Sequence, residues 1–363
     1  MCRTTSVGLE SLAYHLTDAP APTLEALVSA GSRVGVDVIT GDDWALLCGP
    51  RARLSALARP WTSPEPLQQL AAALGHALPG EEPPFWQTAA GPLELATPVL
   101  VGILNVTPDS FSDGGRYATA ELALQRAEQL VADGATVLDI GGESTRPGAQ
   151  PVSEAEELSR VMPALAAIAR RLPAIPLSID TVKAGVARAA LDAGAAIVND
   201  VSGFRLDPAM APLCAERGAG VVLLHSRGAL AELASLAQAD YPDGVVPAVI
   251  AELGAALARA RQAGVQAERI VLDPGLGFGK TPEQNVELLR GLPALRVLGR
   301  PLLIGPSRKR FLGALTGRPL ELREPATAAA CVAGWEAGAR LFRVHEPGPV
   351  RDALAVARAV YPR

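Results

Sequence analysis

Eight times between Val99 and His345 an apolar, β-branched run leads into a short loop that opens on a polar residue. The runs end at Asn105, Asp139, Asp180, Asn199 with Asp200, His225, Asp273, Ser307, and Arg343 with His345. A helix-like segment follows each of the first seven. Parallel strands covered by helices on both faces read as continuous apolar runs, because neither face meets water. The alternation therefore predicts an α/β fold with a parallel sheet, and eight units predict its closure into a TIM (β/α)8 barrel. Chemistry in such barrels sits at the carboxyl ends of the strands. A doubly wound open sheet shares the alternation, but the number of units favours closure.

Helical spacing supports the same alternation. Leu122, Ala123, Ala127, Leu130 and Val131 recur with a helical period, as do Val161, Leu165, Ile168 and Leu172. Thr281-Pro282-Glu283-Gln284 combines an N-cap threonine, a proline at the first position and a glutamine three residues on, the makings of a capping box. Ser153-Glu154-Ala155-Glu156 predicts a second box. Proline-rich punctuation at Pro60–Pro66 and Pro79–Pro84 separates a leading segment from the barrel pattern. Residues 1–90 are expected to form a small α+β domain, with helical patterns at Leu24–Ala30 and Leu67–Leu78 and strand-like runs at Val34–Ile39 and Trp44–Cys48. Residues 91–363 are expected to form the barrel, with residues 91–96 as a short strand closing its floor. His15 and His76 stand alone in the leading segment, which offers no catalytic constellation.

With 363 residues and 49% hydrophobic content, the chain can bury a large core. Its 33 basic and 38 acidic residues nearly balance, so no broad field for nucleic acid or an anionic membrane is expected. Cys2, Cys48, Cys214 and Cys331 lie far apart without metal-ligand spacing, and neither a secretory leader nor a membrane-spanning run is legible. A cytoplasmic enzyme is the expectation. The composition holds 30 arginines against three lysines, and only three asparagines. Lys280, Lys309, Asn105 and Asn199 nevertheless fall at or just after strand ends.

Seven segments occupy those strand ends in order: Gly102-Ile-Leu-Asn-Val-Thr-Pro-Asp-Ser-Phe-Ser-Asp-Gly-Gly115, Asp139-Ile-Gly-Gly-Glu-Ser-Thr-Arg-Pro-Gly148, Ser178-Ile-Asp-Thr181, Asn199-Asp-Val-Ser-Gly203, Asp273-Pro-Gly-Leu-Gly-Phe-Gly-Lys280, Ser307-Arg-Lys309 and Arg343-Val-His345. Together they resemble the dihydropteroate synthase family of pterin-binding barrels, across nearly all of residues 98–363. The resemblance implies a transferase of folate biosynthesis. It would condense (7,8-dihydropterin-6-yl)methyl diphosphate with p-aminobenzoate to give 7,8-dihydropteroate and diphosphate.

The residues suit that chemistry. A pterin presents an amidine-like edge, and a carboxylate can accept its two N–H groups as a pair. Asp180 and Asp273 meet this need, Asn199 offers both a donor and an acceptor, and Lys309 can donate to a carbonyl or ring nitrogen. The resemblance implies that all four surround the pterin. Read alone, Asp180 could instead cap a helix beginning near Val182, and Asn199 could be a turn residue. Arg343 and His345, alternate residues of one strand, are expected to point to one side and stabilise the departing diphosphate, with Thr145 and Arg146 opposite. The resemblance makes Asn105 a ligand of Mg²⁺, a hard cation that prefers oxygen and keeps several waters.

A dissociative, SN1-like route is expected, in which electrostatic preorganisation carries the catalysis. The aniline nitrogen of p-aminobenzoate is already neutral and nucleophilic, so no enzyme nucleophile is called for. Phe111, Pro147 and Phe278 are expected to pack on the benzoate ring, and Lys309 with the helix start after it to attract the carboxylate. One segment departs from the family pattern: Leu224-His225-Ser226 stands where methionines usually flank a histidine, and His225 reads as a structural hydrogen-bonder. A homodimer paired through the last helices is implied by resemblance alone. Two alternatives remain at this level. One is a folate-dependent methyltransferase, which would have no use for a diphosphate site. The other is a non-catalytic pterin-binding paralogue, in which the expected ligands need not survive.

Overall fold

The computed structural model describes residues 3–6, 11–16, 21–41, 45–50, 83–106, 116–143, 151–233, 235–242 and 244–360. The chain divides into two compact units, residues 1–81 and 82–363. The division falls nine residues ahead of the expected boundary at 90, because the hairpin that follows the prolines belongs with the second unit.

In the first unit, strands β1 (Arg3–Ser6), β2 (Ser11–Leu16), β3 (Asp37–Thr40) and β4 (Ala45–Pro50) form an antiparallel sheet in the order β1-β2-β4-β3. The helix Ala21–Val34 buries Leu24, Leu27 and Ala30, one stripe at three-residue spacing. Gly31 lets that helix approach β3, since a Cβ there would lie 2.4 Å from Val38 Cγ2. Gly35, at a φ of 70°, ends the helix in the left-handed conformation. That is why Val34, expected in a strand, closes the helix instead. The helical pattern at Leu67–Leu78 lies outside the described residues.

The second unit opens with a hairpin of β5 (Phe85–Thr88) and β6 (Gly91–Glu94). The floor strand expected at 91–96 is thus the second arm of a pair. Trp86 from its first arm is 1% exposed and donates from Nε1 to the Arg269 carbonyl at 2.8 Å. It packs with Leu95, Val99, Val101, Val137, Ile197 and other inward residues of the barrel. Eight parallel strands then close: β7 (Val99–Asn105), β8 (Val137–Gly141), β9 (Leu177–Asp180), β10 (Ile197–Asp200), β11 (Gly220–Leu224), β12 (Ile270–Asp273), β13 (Leu302–Ile304) and β14 (Ala339–Val344). Closure is made by β14 on β7, with Arg343 opposite Val101.

Helices between the strands bury their apolar stripes on the outside of this barrel. Val161, Ala164, Leu165 and Ile168 of the helix Glu154–Arg171 are fully buried against it. A helix also follows the eighth strand, Pro347–Val360, where none was expected; its Pro-Gly-Pro start reads as a loop. The Thr281 capping box forms as expected: Gln284 N donates to Thr281 Oγ1 at 3.3 Å, and Thr281 N donates to Gln284 Oε1 at 2.8 Å. At Ser153 only half of the box forms. Glu156 N donates to Ser153 Oγ at 3.2 Å, while the Glu156 carboxylate turns away to pair with Arg160 one turn on. No described helix is long and apolar enough to cross a membrane.

Candidate active site

Alternation along each strand builds the site. The inward side chains Val99, Val101, Val137, Ile197, Val222, Val271, Leu303 and Leu341 form an apolar layer sealed below by Trp86. Because side chains alternate, residues two positions on face the same interior. From Val137, Ile197, Val271 and Leu341 that step reaches Asp139, Asn199, Asp273 and Arg343. The equivalent place on β9 is Ser178, followed by Asp180, and on β7 the last inward residue is Asn105. The polar tips thus share one layer at the carboxyl end because the runs share one register. Gly141 and Gly305 keep it open. A Cβ on Gly141 would touch Asp180 Oδ2 at 3.6 Å and Asn105 Oδ1 at 3.7 Å; one on Gly305 would meet Arg343 Cβ at 3.7 Å and Asp273 Oδ2 at 3.9 Å.

Within this layer Arg343 is held by two carboxylates. Its Nε donates to Asp139 Oδ2 at 2.6 Å and its Nη2 to Asp180 Oδ2 at 2.7 Å. Asn199 Nδ2 donates to the same Asp139 oxygen at 2.9 Å. Asp139 therefore sits beneath the pair as a fully buried anchor, and sequence reasoning gave it no role. Its partner lies 204 positions away, so only the closed barrel reveals the contact. Asp180 does not cap a helix: the next one begins at Ala184, whose N–H donates to Asp207 Oδ2 at 2.8 Å.

Asp273 accepts the Gly275 N–H at 2.7 Å through Oδ1. Lys309 lies across the loop that follows. Its Nζ stands 4.0 Å from the Phe278 ring centroid, and its chain runs over Gly277, where any Cβ would lie 2.6 Å from Lys309 Cδ. Phe278 is itself buried with Val182, Val201, Leu224 and Leu233, so it belongs to both the core and the pocket wall. Leu224 fills that wall as an apolar residue of similar bulk to methionine, while Ser226 turns away and donates from Oγ to the Val201 carbonyl at 2.6 Å. His345 lies one residue beyond β14, and its Nδ1 meets Ser307 Oγ at 2.9 Å. Arg343 and His345 thus engage different partners. Phe111, Thr145, Arg146 and Pro147 lie outside the described residues.

Burial sets the electrostatics. Desolvation raises the Asp180 carboxyl to about 7, with Arg343 opposing and Asp139 adding to the shift. It raises Asp273 to about 6 against the Gly275 N–H and Lys309, and lowers Lys309 to about 8 with help from Arg343. Burial alone would push Arg343 down, but Asp139 and Asp180 more than reverse that and keep it charged. The four groups sense one another's charge: Lys309 and Arg343 both act on Asp273, and Asp180 and Asp273 both act on Lys309. Two carboxylates near neutrality, an amide, an ammonium and a guanidinium converge on one mouth. Such a set can accept the N–H groups of a flat heterocycle and donate to its carbonyl.

Two lysine clusters flank this layer. Lys183 Nζ donates to Glu143 Oε2 and Glu157 Oε2, each at 2.6 Å, and Glu143 Oε1 accepts the Val152 N–H at 2.7 Å. Lys280 is buried behind the β12 loop against His225. The scarcity of lysine is the only sequence signal that could have singled out Lys183.

Residues 101–345 match the family described as pterin binding enzyme. A dihydropteroate synthase of Mycobacterium leprae is 48% identical over 273 residues, 74% of this chain and 95% of its own. That of Synechocystis is 44% identical over 72% of this chain and 90% of its own. Among solved structures, a dihydropteroate synthase from Xanthomonas albilineans with 4-aminobenzoic acid superposes with a TM-score of 0.71 at 43% identity, covering 77% of this chain and 99% of that one. The same enzyme in complex with 7,8-dihydropteroate gives 0.69 at 41% identity, covering 77% of this chain and all of that one. Barrel, inward polar layer and relatives agree: the chain belongs to the dihydropteroate synthase family of pterin-binding enzymes.

Proposed function

We propose that this chain condenses (7,8-dihydropterin-6-yl)methyl diphosphate with p-aminobenzoate, giving 7,8-dihydropteroate and diphosphate. One observation carries the reading: Asp180, Asp273, Lys309 and Arg343 act on one another across a single barrel mouth, in a chain whose relatives are named for this reaction. Asp180 and Asp273 accept the N–H groups of the pterin edge, Asn199 supplies a donor and an acceptor, and Lys309 donates to the ring system. The C–O bond to the diphosphate breaks first, and its electron pair leaves with the diphosphate. The pterin methylene cation is held beside the two ionised carboxylates. The aniline nitrogen then forms the C–N bond and releases a proton to water.

His345, steadied by Ser307, and Arg343 stabilise the departing charge, Arg343 while its Nε and Nη2 remain with Asp139 and Asp180. Thr145 and Arg146 complete that side, and Phe278 packs with Phe111 and Pro147 on the benzoate ring. Among the described residues no group of three or more His, Cys, Asp or Glu could hold a metal. Asn105 offers one neutral oxygen at the mouth, which fits a magnesium that shares its shell with diphosphate oxygens and water rather than a closed protein cage. Bound there, Mg²⁺ would offset the charge of the leaving diphosphate.

The enzyme works in the cytoplasm, in keeping with the free buried thiols of Cys214 and Cys331. It pairs as a homodimer through its last helices, where Leu315, Leu320, Leu322 and Val356 are exposed. A diphosphate-release assay tests the reaction. Release should require Mg²⁺, formation of 7,8-dihydropteroate should require p-aminobenzoate as well, and a pterin–enzyme adduct trapped during turnover would sink the dissociative route. Mass in solution tests the dimer.

A further inference from the structure

We propose that Lys280 is a positioning residue for the transfer, holding the loop 273–280 from behind so that Asp273, Phe278 and Lys309 meet the substrates together. This rests on the pocket reading above. Lys280 is 4% exposed and spends its ammonium completely. Nζ donates to the carbonyls of Gly275 and Phe278 and to His225 Nδ1, each at 3.0 Å. As an ammonium, its form below about pH 7, Lys280 has three hydrogens and no lone pair, so its contact with His225 makes Nδ1 the acceptor. The proton of the imidazole therefore sits on Nε2, which faces Glu252 Oε2 at 3.1 Å. Glu252 is clasped in turn by Arg227, whose Nε donates at 2.9 Å and whose guanidinium lies 4.0 Å over the Tyr241 ring.

Burial holds the His225 ring neutral, its pKa lowered to about 4 with Lys280 adding repulsion, which suits it to accept. Burial also presses the Lys280 ammonium down to about 7, opposed by Asp273 and Glu252 and reinforced by Arg227 and Lys309.

The loop needs such a tie because its backbone alternates into positive φ, at Gly275 (71°), Gly277 (80°) and Gly279 (55°). Glycine is at home there but also visits many other conformations. Asn285, buried in the helix Pro282–Arg290, holds the loop as well, accepting the Gly277 N–H at 2.6 Å and donating to the Lys280 carbonyl at 3.1 Å. Tyr241 donates to the Gly279 carbonyl at 3.2 Å. Among the described residues only Lys280 draws the Gly275 and Phe278 carbonyls to one point. Gly275 carries the N–H that fixes Asp273, Gly277 is the bed of the Lys309 chain, and Phe278 stands under its ammonium. Arginine, with a planar fork, cannot converge three donors in this way, which accounts for a lysine here in an arginine-rich chain.

The test is Lys280→Met in the full chain, alone and combined with Phe278→Ala, with both substrates varied. The proposal requires the p-aminobenzoate KM to rise about tenfold or more, a size expected of a misplaced wall, and that rise to fall below about twofold in the Phe278→Ala background, as coupled neighbours demand. A purely structural role would lower the active fraction and the Tm at unchanged KM; that result, or additive KM effects, overturns the proposal. Should Lys280→Met fail to fold, imidazole nitrogen NMR of the wild-type protein between about pH 5 and 6, where Lys280 is charged and His225 neutral, reads the same contact, with His225 protonated at Nε2 and bare at Nδ1. A proton on Nδ1 overturns it. If wild type releases no diphosphate, the pocket reading fails while the NMR outcome still decides the Lys280 contact; an active wild type with an unshifted Lys280→Met sinks only the Lys280 proposal.

Discussion

Asp273 is useful because it is poorly placed for stability. Burial lifts its carboxyl from the ordinary 3.8 to about 6, so the native fold binds its proton more tightly than the unfolded chain does. A carboxyl raised in this way favours the fold below about pH 4, and the advantage is lost as pH climbs through 6. Above that, the protein carries a buried charge, which on the proposed reading the pterin satisfies. Asp273→Asn should therefore raise stability at pH 8 by about 1–3 kcal/mol, shrinking toward zero near pH 4, while pterin binding collapses. Calorimetric Tm values at the two pH values check this; a variant less stable at pH 8 refutes it. On the proposed reading the same ionisations govern affinity, since only the carboxylate accepts two N–H groups. Pterin binding measured by titration calorimetry should weaken as pH falls from 8 to 5, through Asp180 near 7 and Asp273 near 6. A flat profile would mean that neither carboxylate grips the ring. On the proposed reading Phe278 faces the other substrate: Phe278→Ala should raise the KM for p-aminobenzoate more than that for the pterin, and equal changes would remove it from the benzoate wall.

The elements behind these residues differ in what holds them. The loop after β8 is fastened at its far end, where Glu143 accepts the Val152 N–H and Lys183 bridges Glu143 to Glu157. Glu157 is fully buried, and its other oxygen has no hydrogen-bond partner among the described residues. Lys183→Met should strand that carboxylate and destabilise the fold by about 3 kcal/mol. Adding Glu157→Leu should recover most of the loss, because removing both charges avoids the desolvation penalty. Denaturant unfolding of the two variants decides; no recovery would show that the bridge does more than neutralise Glu157. The strand ends were legible because each polar residue interrupts an apolar run, and Asp180, Asn199, Asp273 and Arg343 stood out on that ground, whereas Lys309, two residues past the run end at Ser307, stood out by its motif and by the scarcity of lysine. Asp139 was visible as a run end but silent as to role, since its meaning depends on Arg343 across the closure. Lys280 was visible in its motif, yet nothing local tells that its side chain turns behind the loop. The last helix was hidden by prolines that look like a loop and sit at a helix start, and the β5–β6 hairpin by the proline-rich stretch before it.

At the scale of the whole molecule, the second unit contains every described side chain assigned to the reaction. The solved relatives make the same point from outside: 77% of this chain accounts for 99% of the Xanthomonas albilineans chain, so a barrel of this kind is essentially that entire protein. The barrel here also seals its own floor with Trp86 from β5, a residue inside the second unit. Removing Trp86 should therefore hurt far more than removing the first unit, with Trp86→Ala costing about 3–5 kcal/mol through the cavity it leaves in the apolar layer. The first unit has its own buried stripe in Leu24, Leu27 and Ala30, with Ala45 and Leu47 on its sheet. Two units with separate cores can in principle fold separately. A chain beginning at Glu82 should then unfold cooperatively and release diphosphate with kcat and both KM values within about twofold of the full chain. A loss beyond about tenfold at unchanged Tm would instead make residues 1–81 part of the transferase, because a site intact in stability but impaired in turnover has lost something that acts in the transition state.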